Sequence, residues 1–197
     1  LLSEQSLELG ATEITNSGNI QGTQGSTVNA AGLTNTGVWI ASDTEGQDAV
    51  FNLDQLHNDG TGGDDTGVIQ SAGELQLNLK DSLVNQGVIL AEGDLSVQAT
   101  DAGSELEVNN FADGIFQSGE QFRILSTAGA NNAKLGTQAG AILAREIELR
   151  VIALDNAGTL QSSEGMILAI TNELKNTGTL LAKTTLTATA ETINNTG

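Results

Sequence analysis

The sequence predicts an all-β solenoid, about nine short coils stacked as a parallel ladder. Three observations predict it. One phrase, L-x-N-x-G-x-[IL]-x-[AS], recurs along the chain, as in LTNTGVWIA (33–41), LVNQGVILA (83–91), LDNAGTLQS (154–162) and LKNTGTLLA (174–182). Apolar residues alternate with polar ones, and nowhere do they sustain the period of about 3.6 residues that a helix needs. The segments also recur in the same order each time. Hairpins would reverse direction at Asn-Gly or Asp-Gly turns instead.

Aligned on the glycine of the phrase, the units fall at Gly18, Gly37, Gly60, Gly87, Gly114, Gly140, Gly158, Gly178 and Gly197, a repeat of about 20 residues with insertions. Asparagine stands two residues earlier at Asn16, Asn35, Asn58, Asn85, Asn156, Asn176 and Asn195. An aliphatic residue precedes each of these by two, from Ile14 and Leu33 to Leu174 and Ile193. Two residues after the glycine a large apolar side chain follows (Ile20, Trp39, Ile89, Phe116, Ile142, Leu160, Leu180), then a small one (Gly22, Ala41, Ala91, Ser118, Ala144, Ser162, Ala182). In the third unit TGGDDTG (61–67) is inserted, and the large and small positions reappear at Ile69 and Ser71. The fifth and sixth units show no asparagine in this register, so irregular coils are expected over about 100–140.

A second alternating segment follows in each unit, as in Leu75/Leu77/Leu79, Leu95/Val97/Ala99, Ile147/Leu149/Val151 and Met166/Leu168/Ile170. The strands are expected to be three to five residues long, with outward positions filled by Thr, Gln, Ser, Glu, Asp and Lys. At about 4.8 Å per coil, the eight intervals make a rod of roughly 40 Å. The asparagine shares the parity of the buried residues, so its amide is expected to point inward at a corner. There it must be satisfied, by backbone groups or by its stacked neighbours. The glycine supplies either backbone freedom or room at that corner. Inward parity and repetition in every coil favour this structural role over ligand binding.

The composition fits such a ladder. There are 24 Gly and no Pro, so no backbone donor is lost. Absence of Cys excludes disulfide, thiolate and zinc–sulfur chemistry. A net charge of −18 with only 7 Lys+Arg argues against binding nucleic acid or anionic membrane through a basic face. No apolar run of about 18 residues is present, so no membrane insertion is expected. The opening LLSEQSLELG has no initiator Met and no signal-like region, so residues 1–197 are expected to be a single repeat segment of a longer protein.

Candidate chemistry is sparse. The acids cluster in SDTEGQD (42–48), NDGTGGDDTG (58–67) and TDAGSE (100–105), without a recurring base or cation beside them. The glycine- and aspartate-rich stretch 60–67 invites a calcium reading, but matches neither the EF-hand spacing nor the nonapeptide repeat. His57, the only histidine, occupies an outward position in LHNDG and is expected on the surface. Trp39 lies in the large apolar column and is expected to fill core. No catalytic residue, metal ligand or cofactor is assigned.

The repeated phrase resembles the haemagglutinin repeats of filamentous haemagglutinin-like exoproteins, including the stalks of contact-dependent growth inhibition systems, over nearly the whole chain from Ile14 to Gly197. The resemblance implies a right-handed parallel β-helix. It also implies export from a Gram-negative bacterium through an outer-membrane β-barrel transporter, with display at the cell surface. A chain without Cys fits passage through a pore unfolded. The function implied is that of a stalk or adhesin segment touching a host or neighbouring-cell receptor or glycan. Two alternatives remain. One is a receptor-binding segment of a toxin-delivery fibre, with STAGANNAK (126–134) as its best candidate epitope; the other is a β-helical carbohydrate-active enzyme.

Overall fold

A computed structural model describes residues 1–62, 66–126 and 132–197. Among them there are 24 strands and no helix, and every strand pairing is parallel. The chain is a parallel β-helix, a near-closed solenoid of stacked coils.

Each coil has three faces rather than the two segments expected from the sequence. Face one is a nine-stranded sheet running from Leu2–Ser3 through Asn19–Gly22, Val38–Ser42 and Val88–Ala91 to Thr179–Ala182. Faces two and three belong to one 15-stranded sheet. In most coils they are separate strands, such as Leu95–Ala99 followed by Leu106–Asn110. In three coils they fuse into single strands of 10 or 11 residues, Ser26–Asn35, Ala49–Asn58 and Leu75–Asn85, longer than the three to five predicted. The phrase therefore straddles a corner. Its Leu-x-Asn closes face three, and its [IL]-x-[AS] opens face one of the next coil.

Apolar columns on all three faces fill the interior, and face two adds a second one through Ala49, Leu75, Leu95, Phe122, Ile147 and Met166. On face one Ile20, Trp39, Ile69, Ile89 and Phe116 stand in register. On face two the column runs Leu9, Val28, Phe51, Leu77, Val97, Ile124, Leu149, Leu168. On face three it runs Ile14, Leu33, Leu56, Leu83, Val108, Leu135, Leu154, Leu174, Ile193. The inward side chains of the middle coils are fully buried: Leu83, Ile89 and Val97 are each 0% exposed. At about 1.5–3 kcal/mol per buried aliphatic side chain, these columns are the main stabilising contribution. Trp39 is likewise 0% exposed and packs against Phe51 with ring centroids 5.2 Å apart.

Two details go beyond the sequence pattern. Ala41 is buried in the small position as expected, and a bulge between Ile40 and Ser42 adds a buried Ser42 beside it, opposite Ser71. The outer surface is also not uniformly polar. On face one an outward column reads Leu2, Gln21, Ile40, Gln70, Leu90, Gln117, Leu143, Gln161, Leu181. The outward column beside it contains Val38, Val68, Val88 and Ile115. The repeat phrase leaves these positions as x, so its pattern carried no information about them.

Candidate functional site: the asparagine corner

Face three meets face one at a corner where every coil places an amide side chain. Asn16, Asn35, Asn58, Asn85, Asn156 and Asn176 are buried, at 0–5% exposure. Asn195 lies on the last coil and is exposed. The amides bond upward from coil to coil. Asn16 Nδ2 donates to Asn35 Oδ1 at 2.8 Å, Asn35 to Asn58 at 2.8 Å, and Asn58 to Asn85 at 2.9 Å. In the later coils Asn156 donates to Asn176 and Asn176 to Asn195, each at 2.6 Å. The amides also donate to backbone carbonyls: Asn16 to Val38, Asn35 to Gly37 and Val68, and Asn58 to Gly67 at 2.6 Å and more weakly to Val88. At Asn16 and Asn85 the oxygen also accepts from the backbone N–H two residues on, the local bond that makes asparagine a turn residue.

Two members of this column are absent from the sequence-level assignment. Asn110 stands opposite Asn85 and accepts its amide at 2.9 Å. Gln138 stands opposite Asn110 and accepts at 3.0 Å. Both are 0% exposed. The fifth and sixth units therefore do carry an amide in register. Asn110 was hidden because its glycine follows after four residues, with Phe111, Ala112 and Asp113 forming a wider corner. Gln138 was hidden only by residue type: Gln-Ala-Gly (138–140) keeps the spacing of Asn-x-Gly, and that was the available signal.

The corner glycine is required for room. A Cβ on Gly37 would meet the carbonyl oxygen of Gly18; on Gly158 it would meet that of Gly140, and on Gly178 that of Gly158. Backbone of successive coils is in contact there, and no side chain fits between. In the third coil Gly67 takes the place of Gly60, since Val68 stands opposite Val38 and Val88. Gly67 also has φ +61°, a left-handed conformation that accommodates the insertion before it.

A second amide ladder runs on the outside of face two. Asn52 Nδ2 donates to Asn29 Oδ1 at 2.9 Å, and Asn78 to Asn52 at 2.8 Å. Sequence reading passed over it because these residues sit at outward positions among varied polar neighbours.

The corner between faces one and two gathers acids that bond backbone or cations. Asp48 Oδ1 accepts from Glu74 N, and Asp94 accepts from Gln121 N and pairs with Arg123. Arg145 bridges Glu120 on one side and Glu164 on the other, at 2.6 and 3.0 Å. The Glu120 bond, then its charge and the Glu164 bond, push the guanidinium further above its ordinary range. Among the described residues no three His, Cys, Asp or Glu side chains converge as metal ligands. The calcium reading of 60–67 falls partly on residues 63–65, which lie outside the described residues, as do 127–131 of the proposed epitope. His57 is exposed on face three, 3.5 Å from Gln86 Oε1.

No curated protein and no solved structure matches the chain. Residues 4–61 match the family model described as the haemagglutinin repeat. They hold the first three amides of a corner column that continues through Asn195, so this part of the chain is similar to the haemagglutinin repeat.

Proposed function

We propose that the chain is a non-catalytic stalk section of adhesin type in a secreted, surface-displayed exoprotein of a Gram-negative bacterium. It would be exported through an outer-membrane β-barrel transporter and set cell or surface contact at a distance. The observation that carries this is the continuity of the aliphatic and amide columns over nine coils, kept through local register shifts at Leu53/Gln55, Val108/Asn109 and Leu135/Gln138. A column maintained over nine coils gives length and stiffness, and the residues that recur are those that hold one coil on the next. At the corner between faces one and two, Asp48 and Asp94 cap backbone N–H groups and Glu120 pairs with Arg145.

The test is removal of one regular coil, residues 157–176, from the surface-displayed protein. Asn156 would then be followed by Thr177, in the order that every coil repeats. A stalk retains its fold, export and cell attachment after this deletion. Loss of attachment with fold and display intact would refute the reading. Exchanging residues 127–131 for a Gly/Ser linker separates the receptor-segment alternative, which predicts that attachment is lost.

A further inference from the structure

Face one carries no charge on its outer surface. Its two outward columns, Leu2 to Leu181 and Asn19 to Thr179, contain no Asp, Glu, Lys, Arg or His. The chain as a whole bears −18, and the outer surfaces of faces two and three carry Glu8, Arg123, Glu148, Asp155 and Lys175. Eight consecutive coils without a charge is a strong departure from that background. It is also unnecessary for folding, since these side chains lie outside the core.

The wider outward column has a second property. Aliphatic and glutamine residues alternate coil by coil, Ile40, Gln70, Leu90, Gln117, Leu143, Gln161, Leu181, with Leu2 and Gln21 before them. The nine positions read the same in both directions about Leu90. A copy turned by a two-fold axis near Leu90 therefore sets aliphatic against aliphatic and glutamine against glutamine. Such self-matching is what an isologous contact requires.

We propose that face one is a docking surface for the same face of a second copy of this chain, forming a side-by-side, antiparallel pair of rods. Charge selects this occupant. Any other face of a second copy brings charged groups against an apolar surface, at a desolvation cost, whereas face one against face one buries none. Asp43, Glu92, Asp113, Arg145 and Lys183 flank the face as a mixed polar rim. Nine strands at about 4.8 Å, each about 13 Å long, give on the order of 500 Å² per copy. Twice that stands at the lower end of specific interfaces, so the pair is weak and reversible. Each copy carries a net charge of −18, so two copies repel and added salt tightens the association.

Sedimentation of residues 1–197 from micromolar to millimolar concentration, at low and high salt, tests this. A reversible dimer that strengthens with salt is expected, with small-angle scattering showing a cross-section that doubles while the length stays constant. Leu90→Lys places two cations near the axis and raises the concentration of half-dimerisation at least about tenfold. Gln117→Lys, at an exposed position, does the same should Leu90→Lys fail to fold. Asn52→Lys on face two leaves dimerisation unchanged. A monomer at every concentration, an end-to-end dimer of doubled length, or a dimer indifferent to both face-one variants overturns the proposal.

Discussion

Gln138 and Asn156 occupy the same column on adjacent coils, yet their amides do not meet. Gln138 Nε2 donates to the carbonyl of Gly140 at 2.9 Å and more weakly to that of Thr159 at 3.5 Å. Asn156 Oδ1 is left buried without a partner. The amide column is thus two runs, Asn16 to Gln138 and Asn156 to Asn195, separated by one missing bond. With its additional methylene, the Gln138 amide nitrogen turns to the Gly140 carbonyl, two residues on in its own corner, instead of to Asn156 Oδ1.

Replacing Gln138 by Asn should restore the run. The substitution removes one buried methylene, a loss of about 0.8 kcal/mol. It supplies a partner to an orphaned oxygen, a gain of about 1–3 kcal/mol. The gain is the larger of the two, so Q138N should raise the unfolding free energy by about 1 kcal/mol. Urea denaturation measures it. An unchanged or lowered midpoint at constant slope would show that the missing bond costs nothing.

The column should be most sensitive in the middle and least at its exposed end. Asn85→Leu keeps the volume and strips the polar atoms, leaving Asn58 Nδ2, Asn110 Oδ1, Gly87 N–H and the Ile115 carbonyl each short of a partner. With several buried groups unsatisfied at about 1–3 kcal/mol each, a loss of 3 kcal/mol or more is expected. Asn195→Leu removes only the acceptor for Asn176, at a solvated position, and about 1 kcal/mol or less is expected. Equal effects at the two sites would rule out a ladder that depends on burial.

Glycine has two roles here that alanine substitutions at two sites separate. Gly158→Ala drives a Cβ into the Gly140 carbonyl at the corner, and the coils must part. A loss of about 2–3 kcal/mol is expected. Gly165, at the start of the strand Gly165–Ile170, has only the Thr185 carbonyl near, at 3.9 Å, and its φ is not left-handed. Gly165→Ala should be neutral or stabilising by up to about 1 kcal/mol, through the reduced entropy of the unfolded chain. Thermal melts of the pair, compared with the parent, give both signs.

Much of the interior was legible in the sequence because a stack of like coils forces equivalent residues into columns. Leu33, Leu56 and Leu83 can be placed by counting alone, as they recur two before an asparagine. Corner and face were harder to tell apart. The phrase L-x-N-x-G reads as one segment, but its backbone turns at Gly, so a third face stayed hidden. Asn110 and Gln138 escaped for opposite reasons, one by a longer corner and one by a changed residue at constant spacing. The charge-free exterior of face one was legible in principle. It follows from the x positions once the register is known, but it has no meaning until strands are assigned to a common surface.

Asp59, at the start of the third-coil insertion, gives a prediction in pH. Its carboxylate accepts from Thr61 N–H at 2.9 Å, and that bond, more than the nearby His57, holds its pKa below the ordinary 3.8. A group depressed in the folded state contributes stability above its unfolded pKa and loses that contribution as pH falls through the folded value. The window is therefore acidic, below pH 3.8, and neutral pH lies on its plateau. Proton NMR should show the Thr61 amide shifting with a midpoint below 3.8 in the parent, and no such titration in Asp59→Asn. The group is largely solvated, so the global melting temperature should differ little between parent and variant at pH 7. A Thr61 midpoint at or above the unperturbed carboxylate value would mean that the bond to Asp59 is not formed in solution.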